Sequence, residues 1–209
     1  MSEEKCCTTA TDLKVDQNYW ENQYQEKNTG WDLGQIAPPL KQYFDSLIDK
    51  NIRILIPGCG NSYEAQYLLN QGFTNITIID IAPTLIKNLK NKFSDNPNIQ
   101  IILGDFFEHQ GIYDYIFEQT FFCALQPILR QKYVLKMHQL LSDNGKLAGL
   151  LFNRKFEKSP PFGGSLNEYI QLFQNVFFLN TITLAENSVP ARENTELFFE
   201  FTKKNEAIV

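Results

Sequence analysis

Four short stretches of the chain carry residues of a kind that hold ligands, and each follows an apolar run. The first is Pro57-Gly58-Cys59-Gly60-Asn61-Ser62. Its two glycines let the chain turn sharply and let a ligand come close to the backbone. The second is Asp80, 22 residues beyond Gly58. A carboxylate at that distance along the chain suits the paired hydroxyls of a ribose. The third is Gly104-Asp105-Phe106-Phe107, an acceptor beside flat apolar rings, which suits an adenine and its exocyclic amine. The fourth is Glu118-Gln119-Thr120-Phe121-Phe122. Taken singly, each has a plain structural explanation: a tight turn without ligand, a helix cap at Asp80, core packing at Phe106 and Phe107. Together they describe a nucleoside site with no cradle for a diphosphate. The G-x-G-x-x-G dinucleotide fingerprint needs a further glycine where this chain has Tyr63, and there is no G-K-[ST] phosphate loop. A nucleoside with no phosphate to hold points to S-adenosyl-L-methionine rather than NAD or ATP.

Such residues need a frame that gathers strand ends. Apolar runs at residues 52–56, 76–79, 99–103, 113–117 and 146–152 are rich in β-branched side chains and lack strict alternation. That pattern predicts strands buried on both faces of a parallel sheet. Helix-length segments lie between them at 62–70, 83–93 and 127–141. Pro83 and Pro127 suit a first helical position, where a missing N–H costs nothing. Strand–helix units of this kind imply a doubly wound α/β sheet. In such a sheet ligands bind outside the carboxyl ends of the strands, where all four stretches fall. Residues 14–50 read as helical, with Pro38-Pro39 opening a helix toward Ile48. Near the other end, 166–173 reads as a helix, and 177–185 and 197–202 as an antiparallel hairpin that finishes the sheet. One domain over 1–209 is expected, with a helical lid region at 14–50 and a Rossmann-like core at 51–205.

Composition narrows the function classes. The 209 residues carry 19 Lys and Arg against 24 Asp and Glu, a net charge of −5. That argues against a protein held mainly by nucleic-acid phosphates. No apolar run is long enough to span a membrane, and the N-terminus has no apolar signal core, so a cytoplasmic protein is expected. The four cysteines, Cys6, Cys7, Cys59 and Cys123, form no C-x-x-C pair, and there are only two histidines. No metal site is expected. Cys59 and Cys123 are expected to be small buried side chains. His109 in a polar loop and His138 in an amphipathic helix are expected to be solvated.

The motifs Ile54-Leu55-Ile56-Pro57-Gly58-Cys59-Gly60, Gly104-Asp105-Phe106-Phe107 and Phe121-Phe122-Cys123-Ala124-Leu125-Gln126-Pro127 resemble the thiopurine S-methyltransferase superfamily. Within it they are most similar to the halide/thiol (thiocyanate) methyltransferase branch, over roughly residues 18–195. The pattern Trp20-x₃-Tyr24-x₆-Trp31-Asp32-x-Gly34 is also similar, with Tyr24 standing where the branch usually has a tryptophan. The resemblance implies a class I S-adenosyl-L-methionine-dependent methyltransferase fold with the cofactor under an N-terminal lid and S-adenosyl-L-homocysteine as product. Carried over by matching position, cofactor contacts fall on Trp20, Tyr24, Trp31, Gly58, Asp80, Asp105, Phe106 and Gln119. Cys59, Gly60 and Ile81 complete the set. Gln119 replaces a common aromatic residue. Ser62 replaces the third glycine of G-x-G-x-G, which is expected to leave the turn untroubled.

Methyl transfer to a soft anion such as a thiolate, hydrosulfide, thiocyanate or halide needs no general base, which fits the sparse histidine supply. A sulfonium cation is drawn to aromatic faces, so Trp20, Tyr24 and Trp31 have a use beyond packing. On the acceptor side, Phe152, Phe156 and Phe162 follow the fifth strand. Phe152 stands where the branch often has a tyrosine. Arg192 matches a branch arginine and is either a fixed charge for an anionic acceptor or a surface loop residue. Glu118 is the group that the alternative, an O- or N-methyltransferase, would need as a base. A non-catalytic cofactor-binding protein is the remaining alternative. The expected partner is a small-molecule acceptor.

Overall fold

The structure is a computed structural model and describes residues 14–205. Cys6 and Cys7 lie outside the described residues. Seven strands form one sheet in the order β3-β2-β1-β4-β5-β7-β6. They are β1 (Ile54–Pro57), β2 (Ile76–Asp80), β3 (Ile99–Leu103), β4 (Tyr113–Gln119), β5 (Leu141–Phe152), β6 (Phe177–Leu184) and β7 (Glu196–Lys203). β1 to β5 run parallel, and β7 slots antiparallel between β5 and β6. Every residue of β1 and β2 is buried, as continuous apolar runs demand. Strand order reverses between β1 and β4, so the crevice outside their carboxyl ends is the place for a ligand.

Seven α-helices accompany the sheet among the described residues: α1 (Gln17–Gln25), α2 (Pro38–Asp45), α3 (Tyr63–Asn70), α4 (Pro83–Lys92), α5 (Phe121–Ala124), α6 (Arg130–Leu140) and α7 (Leu166–Phe173). Leu40, Phe44, Ala65, Leu68 and Leu85 of α2, α3 and α4 bury against one face. Tyr133, Val134, Tyr169 and Phe173 of α6 and α7 pack with Phe199 and Phe201 against the other. The expected helix at 127–141 divides: Pro127–Leu129 is a 3₁₀ turn, and Leu141 already belongs to β5, paired with Tyr113. The helix opened by Pro38 stops at Asp45, short of Ile48, which is exposed. No helix among the described residues is long and apolar enough to cross a membrane.

The N-terminal segment is attached to the core by polar contacts, and α1 buries no residue fully. Asp16 caps α1 by accepting the Tyr19 N–H at 3.1 Å. The Gln17 side-chain amide donates to the Ile81 carbonyl at 3.0 Å. Glu21 accepts the Thr84 N–H at 2.8 Å and so caps α4, which has no side-chain cap of its own.

Candidate active site

One cavity of about 1140 Å³ opens at the carboxyl ends of β1, β2, β3 and β4. It is larger than a single small-ligand pocket needs. The residues expected to contact the cofactor, Trp20, Tyr24, Trp31, Gly58, Cys59, Gly60, Asp80, Ile81, Asp105, Phe106 and Gln119, all line it, as do Glu118, Phe152, Phe156 and Arg192. Phe162 does not line it; its N–H is donated to the Cys123 carbonyl of α5 at 2.7 Å. Neither histidine lines it. The expectation that both are solvated is corrected. His109 is half-buried against the Tyr113 hydroxyl at 2.8 Å, and His138 meets the Lys204 carbonyl at 2.8 Å.

The glycine turn takes its shape from its neighbours. Gly58, Gly60 and Ser62 all adopt left-handed backbone, with φ of 55°, 49° and 54°. A Cβ at residue 58 would lie 2.2 Å from Cδ2 of Phe121, so glycine is required there by space as well as by φ. Ser62 is therefore not neutral in the turn. A serine in this conformation costs about 1–2 kcal/mol. Its hydroxyl, donated to the Cys59 carbonyl at 3.3 Å, offsets part of that.

Asp80 closes the turn. Its carboxylate accepts the Gly60 N–H at 3.3 Å and the Ala82 N–H at 3.1 Å. It therefore ties the turn after β1 to the approach of α4, whose N-cap is Ala82 and not Asp80. Burial pushes its carboxyl up, and the amides of Ala82, Gly60 and Ile81 oppose that. Asp105 spends one oxygen on the Phe107 N–H at 2.8 Å and is otherwise exposed. Phe106 is buried against Phe121, ring centroids 5.2 Å apart. Trp31 meets Trp20 and Tyr24 edge-on at 5.3 and 5.8 Å, forming an aromatic wall over the glycine turn. Below it, Asp32 accepts from the Asn61 amide and from the Tyr63 hydroxyl.

Arg192 is not a surface arginine. It is 7 % exposed; one arm donates to Glu196 at 2.9 Å and the other to the Trp31 carbonyl at 2.7 Å. Its guanidinium lies 5.2 Å from the centre of the Phe152 ring. Glu196 is itself buried and also accepts from the Ser188 hydroxyl. Arg192 thus joins the aromatic wall to the start of β7. Sequence reasoning missed Phe121 as the partner of Gly58, and it missed Glu196, whose signal was an acidic residue four positions beyond Arg192.

The wall has the character a cationic nucleoside requires. Among the described residues, Asp16, Asp32, Glu64, Asp80, Asp105 and Glu118 line the cavity against Arg154 and Arg192. The side-chain nitrogen of Gln119 is buried with no hydrogen-bond partner, a donor left for an acceptor on a ligand. The glycine turn offers backbone with no side chain in the way. These features fit S-adenosyl-L-methionine.

Fold and cavity define a class I S-adenosyl-L-methionine-dependent methyltransferase. The model of the family described as thiopurine S-methyltransferase matches residues 15–206, and the chain belongs to that family. It is 31 % identical over 177 residues to "Probable thiol methyltransferase 2" of Arabidopsis thaliana, covering 81 % of this chain and 77 % of that protein. It is 24 % identical over 200 residues to "Thiocyanate methyltransferase 1" of Brassica oleracea, covering 91 % and 87 %. Among solved structures it is similar to the 1,6-didemethyltoxoflavin-N1-methyltransferase of Burkholderia thailandensis, with a TM-score of 0.75 at 14 % identity, covering 98 % of this chain and 94 % of that one. That structure holds 1,6-didemethyltoxoflavin and S-adenosylhomocysteine.

Proposed function

We propose that this enzyme methylates a small soft nucleophile, a thiol, hydrosulfide, thiocyanate or halide, that reacts as its anion. The observation that carries the reading is the acceptor end of the cavity. Phe152, Phe156, Pro160, Pro161, Val189 and Pro190 wall it together with Arg154 and Arg192, and among the described residues no histidine or lysine lines it. An acceptor that is already an anion needs positioning and dryness rather than a base. When bound, S-adenosyl-L-methionine supplies an electrophilic methyl group on a positively charged sulfur. Asp80 would hold the ribose hydroxyls, Asp105 and Phe106 the adenine, and Gly58, Cys59, Gly60, Ile81 and Gln119 the remaining edges. Trp20, Tyr24 and Trp31 would face the cation and keep water out. Residues 14–34 would act as the lid, and 51–205 as the core that carries it. Arg192 orients the wall through Trp31; its charge is already shared with Glu196, which leaves less of it for an anionic acceptor. Cys59 and Cys123 are both free and buried, which suits a cytoplasmic enzyme.

A thiol series tests this reading. The rate for each thiol should follow its thiolate concentration, so each pH profile tracks the thiol's own pKa and not an enzyme group. A second reading rests on Glu118, which burial pushes up to about 8, within the range of a general base. If a phenol or alcohol analogue is methylated as fast as the best thiol, and Glu118→Gln abolishes that activity, the enzyme is an O-methyltransferase.

A further inference from the structure

Glu118 differs from the other carboxyl groups of the cavity wall. It is fully buried, and one oxygen accepts the Phe122 N–H at 3.1 Å while the other has no partner. An unpartnered carboxylate oxygen inside a protein is costly, and a lone buried carboxylate more so. The groups around it do not balance its charge. From α5 it faces Cys123, whose thiol is pushed up to about 12, and from α6 it faces Tyr133, pushed well above its usual value. Both are neutral near pH 8, and the Tyr133 hydroxyl also lacks a partner. Arg130 of α6 gives its charge to Glu168 and its other arm to the Gly163 carbonyl. β5 sets Gly149 opposite Glu118, and β1 carries no titratable side chain. At the neighbouring strand ends stand Cys59 and Asp80, the first neutral and the second of like charge. Of the two cations that line the cavity, Arg192 is paired with Glu196 and Arg154 is exposed against the Phe156 ring, so among the described residues none forms an ion pair with Glu118.

We propose that Glu118 is the residue by which the cavity distinguishes the cationic cofactor from its neutral product. The proposal rests on reading the cavity as the S-adenosyl-L-methionine site. With a positive charge in the cavity, the Glu118 carboxylate has the counter-charge that the protein itself does not supply. Methyl transfer breaks the carbon–sulfur bond, leaves its electron pair on sulfur and ends that charge. Glu118 then either stays as an unpaired buried anion, which weakens product binding, or takes up a proton from solvent. Burial sets this carboxyl to titrate at about 8 in the free protein, so the exchange falls near neutral pH. Linkage requires the converse: the cation binds more tightly as Glu118 loses its proton, and its binding drives that loss.

Calorimetry on the full chain tests the proposal with S-adenosyl-L-methionine and S-adenosyl-L-homocysteine. Titrations at pH 6.5 and 9, each in two buffers of unlike ionisation enthalpy, compare wild type with Glu118→Gln. In wild type the preference for the cation over the product should rise with pH about tenfold more than in the variant, the scale of one charge pair in a protein interior. Any titration of the ligands' own ammonium groups is common to both proteins and cancels in that comparison. Near pH 7.5 the cation should also release a fraction of a proton beyond that released by the product, and Glu118→Gln should abolish this excess. Equal pH dependence in the two proteins, or no excess proton in wild type, overturns the proposal. If Glu118→Gln does not fold, Glu118→Ala takes its place in the same comparison, with the same two outcomes. If wild type binds neither ligand at any pH, the cofactor reading fails and this inference falls with it.

Discussion

The two halves of the cavity are built in different ways. The half proposed to hold the cofactor rests on the ends of β1, β2, β3 and β4. Its groups are placed by the sheet and by hydrogen bonds from backbone amides, such as those from Gly60 and Ala82 to the Asp80 carboxylate. The acceptor half comes from the segment after β5 and the connection before β7, and it is aromatic and proline-rich. A sheet end holds its residues rigidly; a loop wall can change shape without disturbing the sheet. Binding of a fixed nucleoside belongs to the first kind of construction, and choice among acceptors to the second. Arg192 crosses between them, joining Trp31 of the aromatic wall to Glu196 at the start of β7.

Breaking that link should have the largest effect. Arg192→Ala leaves Glu196 buried without its counter-charge, which costs on the order of 3–5 kcal/mol of stability by denaturant unfolding. In the same variant, hydrogen exchange at residues 14–34 should quicken, because the Trp31 carbonyl loses its donor. Unchanged exchange there would show that Gln17, Glu21 and Asp32 hold the segment without help. Next comes Gly58→Ala, confined to the cofactor half. The new methyl group would meet the Phe121 ring in a left-handed backbone, and the unfolding midpoint should fall by the equivalent of about 2–4 kcal/mol. Asp80→Ala should weaken cofactor binding by roughly 1.5–3 kcal/mol, the scale of lost hydrogen bonds to a charged group. Equal affinity in a folded variant, read by calorimetry, removes Asp80 from the ribose. The smallest effect belongs to the acceptor half. Phe152→Tyr adds one hydroxyl and should raise kcat/KM for thiocyanate relative to a thiol by about 2–10-fold. No change in that ratio would place acceptor choice elsewhere in the loop wall.

What the sequence determined by itself is the half of the cavity that stands on the strand ends, the half proposed to hold the cofactor. Apolar runs that end in Gly58, Asp80, Asp105 and Gln119 are local signals. A strand buried on both faces must be apolar, and its end must carry whatever polar group meets the crevice. The order of strands and helices followed from the same periodicity, and so did the hairpin of β6 and β7. Tertiary structure decided the rest. The path of β7 between β5 and β6 depends on pairings such as Gly149 with Phe199, which no local pattern encodes. Arg192 reads as a loop residue until the fold brings it to a carbonyl 161 positions away and buries it beside Glu196. Glu118 is one acid among many in the sequence, and only the closure of α5 and α6 over it removes water and leaves one oxygen unpaired. His109, His138 and Phe162 failed as sequence readings for the same reason. Backbone conformation is set by near neighbours, whereas burial, charge pairing and proton affinity are set by residues distant in the chain that folding brings within a few ångströms.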